Sequence, residues 1–260
     1  MKIATWNVNS VRTRLPTITQ WLEKAQPDVA CLQEIKCQDD QFPCAAFEDL
    51  GYNCAVHGQK SYNGVALLSK YEIEDCTTCL PGDDADKQAR YLEAVLSAPK
   101  GPVRVASLYL PNGNPKGTDK FTYKLHWMAR LHDHAKALLA LEEKTVLAGD
   151  YNVIYRDVDC WDPAVWKDDA LFAKEVRDAF AALLWLGYSD AFLQKDGRAH
   201  IYSFWDYQRL AWQRHHGLLI DHILLSPQAT DVLQSVDIDK AARGMDKPSD
   251  HVPVIAELEG

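Results

Sequence analysis

The chain has 260 residues, 47% hydrophobic and 25% charged, with a formal net charge of −9. This is ordinary globular composition for one large domain or two small ones, and it excludes collagen, coiled coil and long disorder. The longest apolar runs, such as 179–186, are too short to span a bilayer, and MKIATWNVNS lacks a signal-peptide core, so no membrane role and a cytoplasmic location are expected.

Residues 2–7 read as a buried strand ending in Asn7-Val8-Asn9-Ser10. Val11, Leu15, Ile18 and Leu22 recur at helical spacing and predict a helix over 11–25. A second strand at 29–32 stops at Gln33-Glu34. Strands at 52–56 and 64–69 turn around Gly58, and 91–97 pairs with 103–110 across Pro99-Lys100-Gly101-Pro102. Asp119 caps a long helix with Phe121, Leu125, Met128, Ala135 and Leu138 on one face. Residues 145–148 predict a strand running into Gly149-Asp150, and Phe172, Val176, Phe180, Leu183 and Leu184 outline a helix closed by Gly187. Late strands are expected at 222–225 and 254–257. Strands and helices alternate in both halves, which predicts a layered α/β protein, and no internal repeat is evident.

Seven cysteines, an odd number, argue against a disulfide framework. Cys76-Thr77-Thr78-Cys79 is an isolated C-x-x-C, better read as structural than as a redox motif.

The informative pattern is where polar residues fall. Trp6 is followed by Asn7 and Asn9, Leu32 by Gln33-Glu34, Ala148 by Gly149-Asp150-Tyr151-Asn152, and Ile220 by Asp221; Ser249-Asp250-His251 precedes Pro253-Val254-Ile255. Each group alone is an ordinary turn or cap. Gathered at one sheet edge, they would supply oxygen donors and one imidazole, which suits Mg²⁺ or Mn²⁺ better than zinc. The matching chemistry is hydrolysis of a phosphate ester.

Further motifs run in order along the chain: Pro27-Asp28-Val29-Ala30-Cys31-Leu32-Gln33-Glu34, Gly58-Gln59-Lys60 with Asn63-Gly64-Val65-Ala66, Pro81-Gly82-Asp83-Asp84, Tyr109-Leu110-Pro111-Asn112-Gly113, Tyr202-Ser203-Phe204-Trp205-Asp206-Tyr207, Ile220-Asp221-His222 and Lys247-Pro248-Ser249-Asp250-His251. With them the chain resembles the exonuclease III-type apurinic/apyrimidinic endonucleases of the endonuclease/exonuclease/phosphatase superfamily, nearly end to end. The resemblance implies a single domain over 1–260, a four-layered α/β sandwich of two mixed β-sheets flanked by helices. It implies Mg²⁺-dependent incision of DNA 5′ to abasic sites, with Mn²⁺ able to substitute, accompanied by 3′→5′ exonuclease and 3′-phosphodiesterase or phosphatase activity. The implied partner is double-stranded DNA with abasic sites or 3′-blocked ends, met by a monomer with no obligate protein partner.

Carried over residue by residue, the resemblance implies that Glu34 holds the metal with Asn7 and Asp250, and that Asp150, Asn152 and His251 also border it. Asp150 orients or deprotonates the attacking water, Asn152 positions Asp150, and Tyr109 contacts the phosphate or assists the leaving oxygen. His251 meets a phosphate oxygen in its charged form, with Asp221 holding the imidazole. Phe204, Leu218 and Ile220 match the wall of an apolar pocket for an extruded sugar without its base; plain core packing is the alternative for these three. Leu171 borders this region. Arg209, Trp212 and Arg214 in the loop 208–216, with Lys120, are the DNA-contacting candidates. Leu219 stands where a basic residue is usual, which implies weakened backbone contact.

Two rivals are weighed. A deoxyribonuclease I-like nuclease would have His at the Tyr109 position, and a lipid phosphatase would have other motifs around Asp150 and Asp221. A non-catalytic regulator would lose metal or water-activating residues, and none is lost. The negative net charge at first argues against DNA. If Arg12, Arg14, Lys36, Lys60, Lys116, Lys120, Arg209, Arg214 and Lys247 share a face, the protein is instead basic where it grips and acidic behind.

Overall fold

The computed structural model describes residues 1–259. In chain order the elements are β1 (Lys2–Asn7), α1 (Leu15–Ala25), β2 (Val29–Gln33), α2 (Cys44–Glu48), β3 (Asn53–His57), β4 (Val65–Ser69), β5 (Ile73–Thr78), β6 (Tyr91–Leu96), β7 (Val103–Tyr109), α3 (Asp119–Leu139), β8 (Thr145–Asp150), α4 (Pro163–Trp166), α5 (Lys174–Trp185), β9 (Ser189–Asp190), α6 (Ala191–Lys195), β10 (Asp221–Leu225), α7 (Pro227–Thr230), β11 (Leu233–Ile238) and β12 (Val254–Leu258). Among the described residues no helix is long and apolar enough to cross a membrane.

The strands form two six-stranded mixed sheets, ordered β11-β12-β1-β2-β4-β3 and β5-β6-β7-β8-β10-β9. Both follow one plan: a central parallel pair joined by a helical crossover, with antiparallel strands outside. The pairs are β1 with β2 and β7 with β8. This likeness is structural and leaves no repeat in the sequence. In β8, Val146 and Ala148 face the core between the sheets, while Leu147 faces the layer formed by α3 and α5. The four-layered sandwich is therefore the observed architecture.

One polar chain crosses the apolar core between the sheets. Thr5 Oγ1 donates to Gln33 Oε1 (3.2 Å), Gln33 Nε2 to Ser107 Oγ (3.1 Å) and Ser107 Oγ to the Leu32 carbonyl (3.2 Å). Its members are fully buried, so each bond relieves a desolvation cost that an unpaired group would carry.

Some boundaries differ from the sequence expectation. The first helix starts at Leu15, because the amides of Val8, Ser10 and Val11 donate to the carbonyls of Gln33, Glu34 and Ile35 and extend the pairing of β1 with β2. In α3, Thr118 is the extended residue before the helix, and Asp119 is its exposed first residue with no capping bond. Its buried face runs through Lys124, Trp127, Met128, Leu131, Ala135 and Leu138, leaving Phe121 and Leu125 half-buried. Cys76 lies exposed on edge strand β5 and Cys79 in the turn after it, away from any strand–helix junction.

Gly149 is required where β7 and β8 approach. A Cβ there would lie 2.0 Å from the Leu108 carbonyl oxygen, which is backbone and cannot turn aside. Gly149→Ala is expected to destabilise the fold by about 3 kcal/mol or more in urea unfolding, the upper range for overpacking. A loss below about 0.5 kcal/mol would show that the two strands separate freely.

Candidate active site

The topology explains why distant residues meet. Parallel strands β1 and β2, and likewise β7 and β8, end at one rim, delivering Asn7, Glu34, Tyr109 and Asp150. Strands β10 and β12 run antiparallel to β8 and β1, so their first ends reach the same rim: Asp221 pairs directly with Asp150, and Asp250-His251 precede β12. Ligands of open α/β sheets meet this carboxyl end.

Asn7 joins the two sheets. Its side-chain amide donates to Glu34 Oε1 (2.9 Å) and Asp150 Oδ2 (3.0 Å). Asn9 Nδ2 donates to Asp250 Oδ1 (3.0 Å), while Asn9 Oδ1 accepts from Lys36 Nζ (2.6 Å), which also pairs with Glu34 (2.8 Å). The Asn152 backbone amide donates to Asp150 Oδ1 (2.9 Å), and the Asn152 side chain donates to the Leu110 carbonyl (2.9 Å). His251 Nδ1 lies 2.8 Å from Asp221 Oδ2, and its Nε2 lies 3.7 Å from Asp150. All the catalytic and metal candidates named from the sequence are therefore gathered at this rim.

The electrostatics follow from burial. Burial raises Asp150 to about 7; the Asp221 charge adds to this, and His251, Asn7 and the Asn152 amide only partly offset it. Burial opposes a charged His251, but Asp221 and Asp150 outweigh it and bring the imidazole up to about 10. Burial also works to raise Glu34, yet Lys36 and Asn7 hold its carboxyl below the usual range. Tyr109 is pushed well above its ordinary value by burial and by Glu34 and Asp150, so it stays a phenol.

This donor set fits a hard divalent cation. Asp150 and Asp221 bring carboxylate oxygens within 4.8 Å of each other, beside a His251 that offers no lone pair while it is charged, and Asp221 Oδ1 is buried without a hydrogen-bond donor. Glu34 and Asp250 stand beside this cluster. An orphaned carboxylate oxygen next to a carboxyl raised to about 7 marks surplus negative charge that a cation would offset.

Sequence reading missed several supports. Arg90 places its guanidinium 4.9 Å above the Tyr109 ring, and Ser203 Oγ donates to Asp221 Oδ2 (2.6 Å). Lys36 carries a signal only through its spacing after Glu34. Ser203 lies inside a quoted motif whose spacing does not mark its role.

The three residues matched to the sugar-pocket wall lie together. Leu218 and Ile220 are buried in a cluster with Ile154, Cys160 and Leu171, and half-buried Phe204 packs against it. Phe204 borders an open cavity of about 280 Å³, shared with Trp161, Trp166, Arg209 and His216. Leu219 is also buried in the main core. Trp212 is half-buried, its ring 4.7 Å from and perpendicular to that of Trp205. Arg209, Arg214 and Lys120 are exposed. Arg209 and Leu210 both have positive φ (55° and 56°), which projects the loop tip.

A family model described as Endonuclease/Exonuclease/phosphatase family matches residues 4–251. The chain belongs to that family. It is 33% identical to exodeoxyribonuclease III of Haemophilus influenzae, over 100% of both chains. It is 39% identical to NExo of Neisseria, solved as a 3′-5′ exonuclease and as a 3′ phosphatase bound to product DNA hairpin, with TM-scores of 0.95 and 0.96 over 100% of both chains. An AP endonuclease from Archaeoglobus fulgidus matches at 33% identity and TM-score 0.95, again over 100% of both chains.

Asp221→Asn should lower the His251 midpoint from about 10 toward the ordinary histidine value of about 6.5, read by NMR of the imidazole nitrogens. Because the folded value lies above the unfolded one, this group's stabilisation is complete below about 6.5 and is lost as pH rises through about 10. The variant's melting temperature should therefore vary less across that window. A midpoint unmoved by the substitution would show that Asp221 does not hold the charge.

Proposed function

We propose that this protein is a DNA-repair phosphodiesterase that hydrolyses DNA 5′ to abasic sites and also trims and dephosphorylates 3′ ends. The observation that carries the reading is the buried Asp150–His251–Asp221 cluster beside Glu34 and Asp250 at the rim. A carboxyl balanced near neutral pH and an imidazolium, side by side, suit attack by water on a phosphate that is gaining charge. The named activities of the relatives support the choice of DNA as substrate.

Glu34, Asp250 and Asn7 would hold Mg²⁺, or Mn²⁺ in its place, which supplies charge neutralisation at the phosphate. Asp150 takes the proton of the attacking water, its two oxygens held by Asn7 and the Asn152 amide. His251, kept charged by Asp221, donates from Nε2 to a phosphate oxygen. Tyr109 remains protonated and donates toward the leaving oxygen. Arg12, Arg14, Lys36, Lys60, Lys116, Lys120, Arg209, Arg214 and Lys247 lie in segments that leave or enter this rim, where they meet the DNA backbone; Lys36 is already paired with Glu34. The protein acts as a monomer on duplex DNA in the cytoplasm.

Leu171 favours one balance among these activities. With Leu171 packed against Leu218 and Ile220, seating an extruded sugar requires side chains to move, whereas a terminal 3′ phosphate makes no such demand. The reading is therefore of an enzyme that favours 3′ ends over internal abasic sites.

With labelled duplexes carrying an abasic analogue, a recessed 3′ end or a 3′-phosphate, Asp150→Asn is expected to lower every activity by about 10³-fold, and EDTA to remove them. Cleavage that persists in EDTA or in Asp150→Asn would overturn the mechanism. Leu171→Gly should raise abasic incision relative to 3′-phosphate release by about tenfold. An unchanged ratio would remove Leu171 from the account of substrate choice.

A further inference from the structure

Lys124 is an unusual member of the buried face of α3, since its side chain has no exposure to solvent. Burying an amine is costly unless its donors are used. Its Nζ donates to the carbonyls of Asn112 (3.0 Å) and Asn152 (2.6 Å). These carbonyls belong to the segments that leave β7 and β8, and those segments begin at Tyr109 and Asp150. The lysine stem fills the space above Gly113, where a Cβ would lie 2.6 Å from Lys124 Cδ.

Asn152 adopts φ 48°, a left-handed conformation that asparagine tolerates better than other residues with side chains. That conformation aims its amide N–H at Asp150 Oδ1, 2.9 Å away. Lys124 holds the carbonyl of this same residue from beneath.

We propose that Lys124 is a positioning residue for the phosphodiester hydrolysis, clamping the Asn112 and Asn152 loops so that Asp150 faces the attacking water. The proposal rests on the reading of Asp150 as the proton acceptor. Both hydrogen bonds of Lys124 Nζ go to backbone carbonyls and neither goes to a carboxylate. Both acceptors are uncharged carbonyls, and a neutral amine has two N–H donors, so the clamp works in either protonation state.

The test compares wild type with Lys124→Met, Lys124→Gln and Lys124→Ala on an abasic duplex, with unfolding curves for each. Lys124→Met should fold cooperatively and lose about 30- to 100-fold in kcat, the scale of a catalytic group displaced by about an ångström. Its KM for DNA should stay within about threefold. Lys124→Gln, which keeps an N–H donor, should fall between. Propylamine should restore about tenfold of the kcat of Lys124→Ala, and tetramethylammonium, which has no N–H, should not. An unchanged kcat in Lys124→Met, or a loss that follows the unfolded fraction without amine rescue, overturns the clamp. If none of the variants folds, Lys124 is a requirement of the core and the proposal fails. Wild type that leaves both abasic and 3′-phosphate duplexes unchanged refutes the parent reading itself.

Discussion

The site depends on the rotational setting of one sheet against the other, because each sheet supplies half of it. Apolar packing alone is non-directional and tolerates small slides. The Thr5–Gln33–Ser107 chain does not, since its hydrogen bonds hold only at one offset. It lies just inside the rim where β1, β2, β7 and β8 end. From that setting the reach of Asn7 to both Glu34 and Asp150 follows, and the two halves of the donor set become one.

Electrostatics then turns geometry into chemistry. Four acidic side chains, Glu34, Asp150, Asp221 and Asp250, meet one imidazole and one close lysine. The charge is divided unevenly. Asp221 is spent on His251 and Glu34 on Lys36, while Asp150 bonds only neutral donors and is pushed to about 7. Two carboxylates on paired strands thereby acquire different roles, set by whether each has a cation of its own. A net charge of −9 does not by itself exclude a DNA partner, because net charge sums over the whole surface while binding reads one face.

Much of the fold was legible because the central strands are buried on both faces and read as continuous apolar runs. Edge strands β5 and β11 were missed. Most of their residues face solvent, so neither alternation nor an apolar run marks them. The helix expected at 11–25 began late for a related reason: Val11 is apolar because it packs behind the extended pairing of β1 and β2, and its burial imitated helical spacing. Lys124 was passed over because a lysine within an amphipathic helix reads as a solvated face.

The sequence by itself determined the α/β layering and the chemical character of the site, since polar residues that interrupt apolar runs mark the strand ends. It also carried enough ordered motifs to identify the family. Only the tertiary structure decided which carboxylate keeps a cation, that Leu218 and Ile220 share a buried cluster with Leu171, and that Trp212 meets Trp205 edge-on. These depend on side chains from segments up to 245 residues apart, as in the bond from Trp6 to the His251 carbonyl. Local spacing encodes which face a residue prefers; burial and charge at a contact depend on what arrives from elsewhere in the chain.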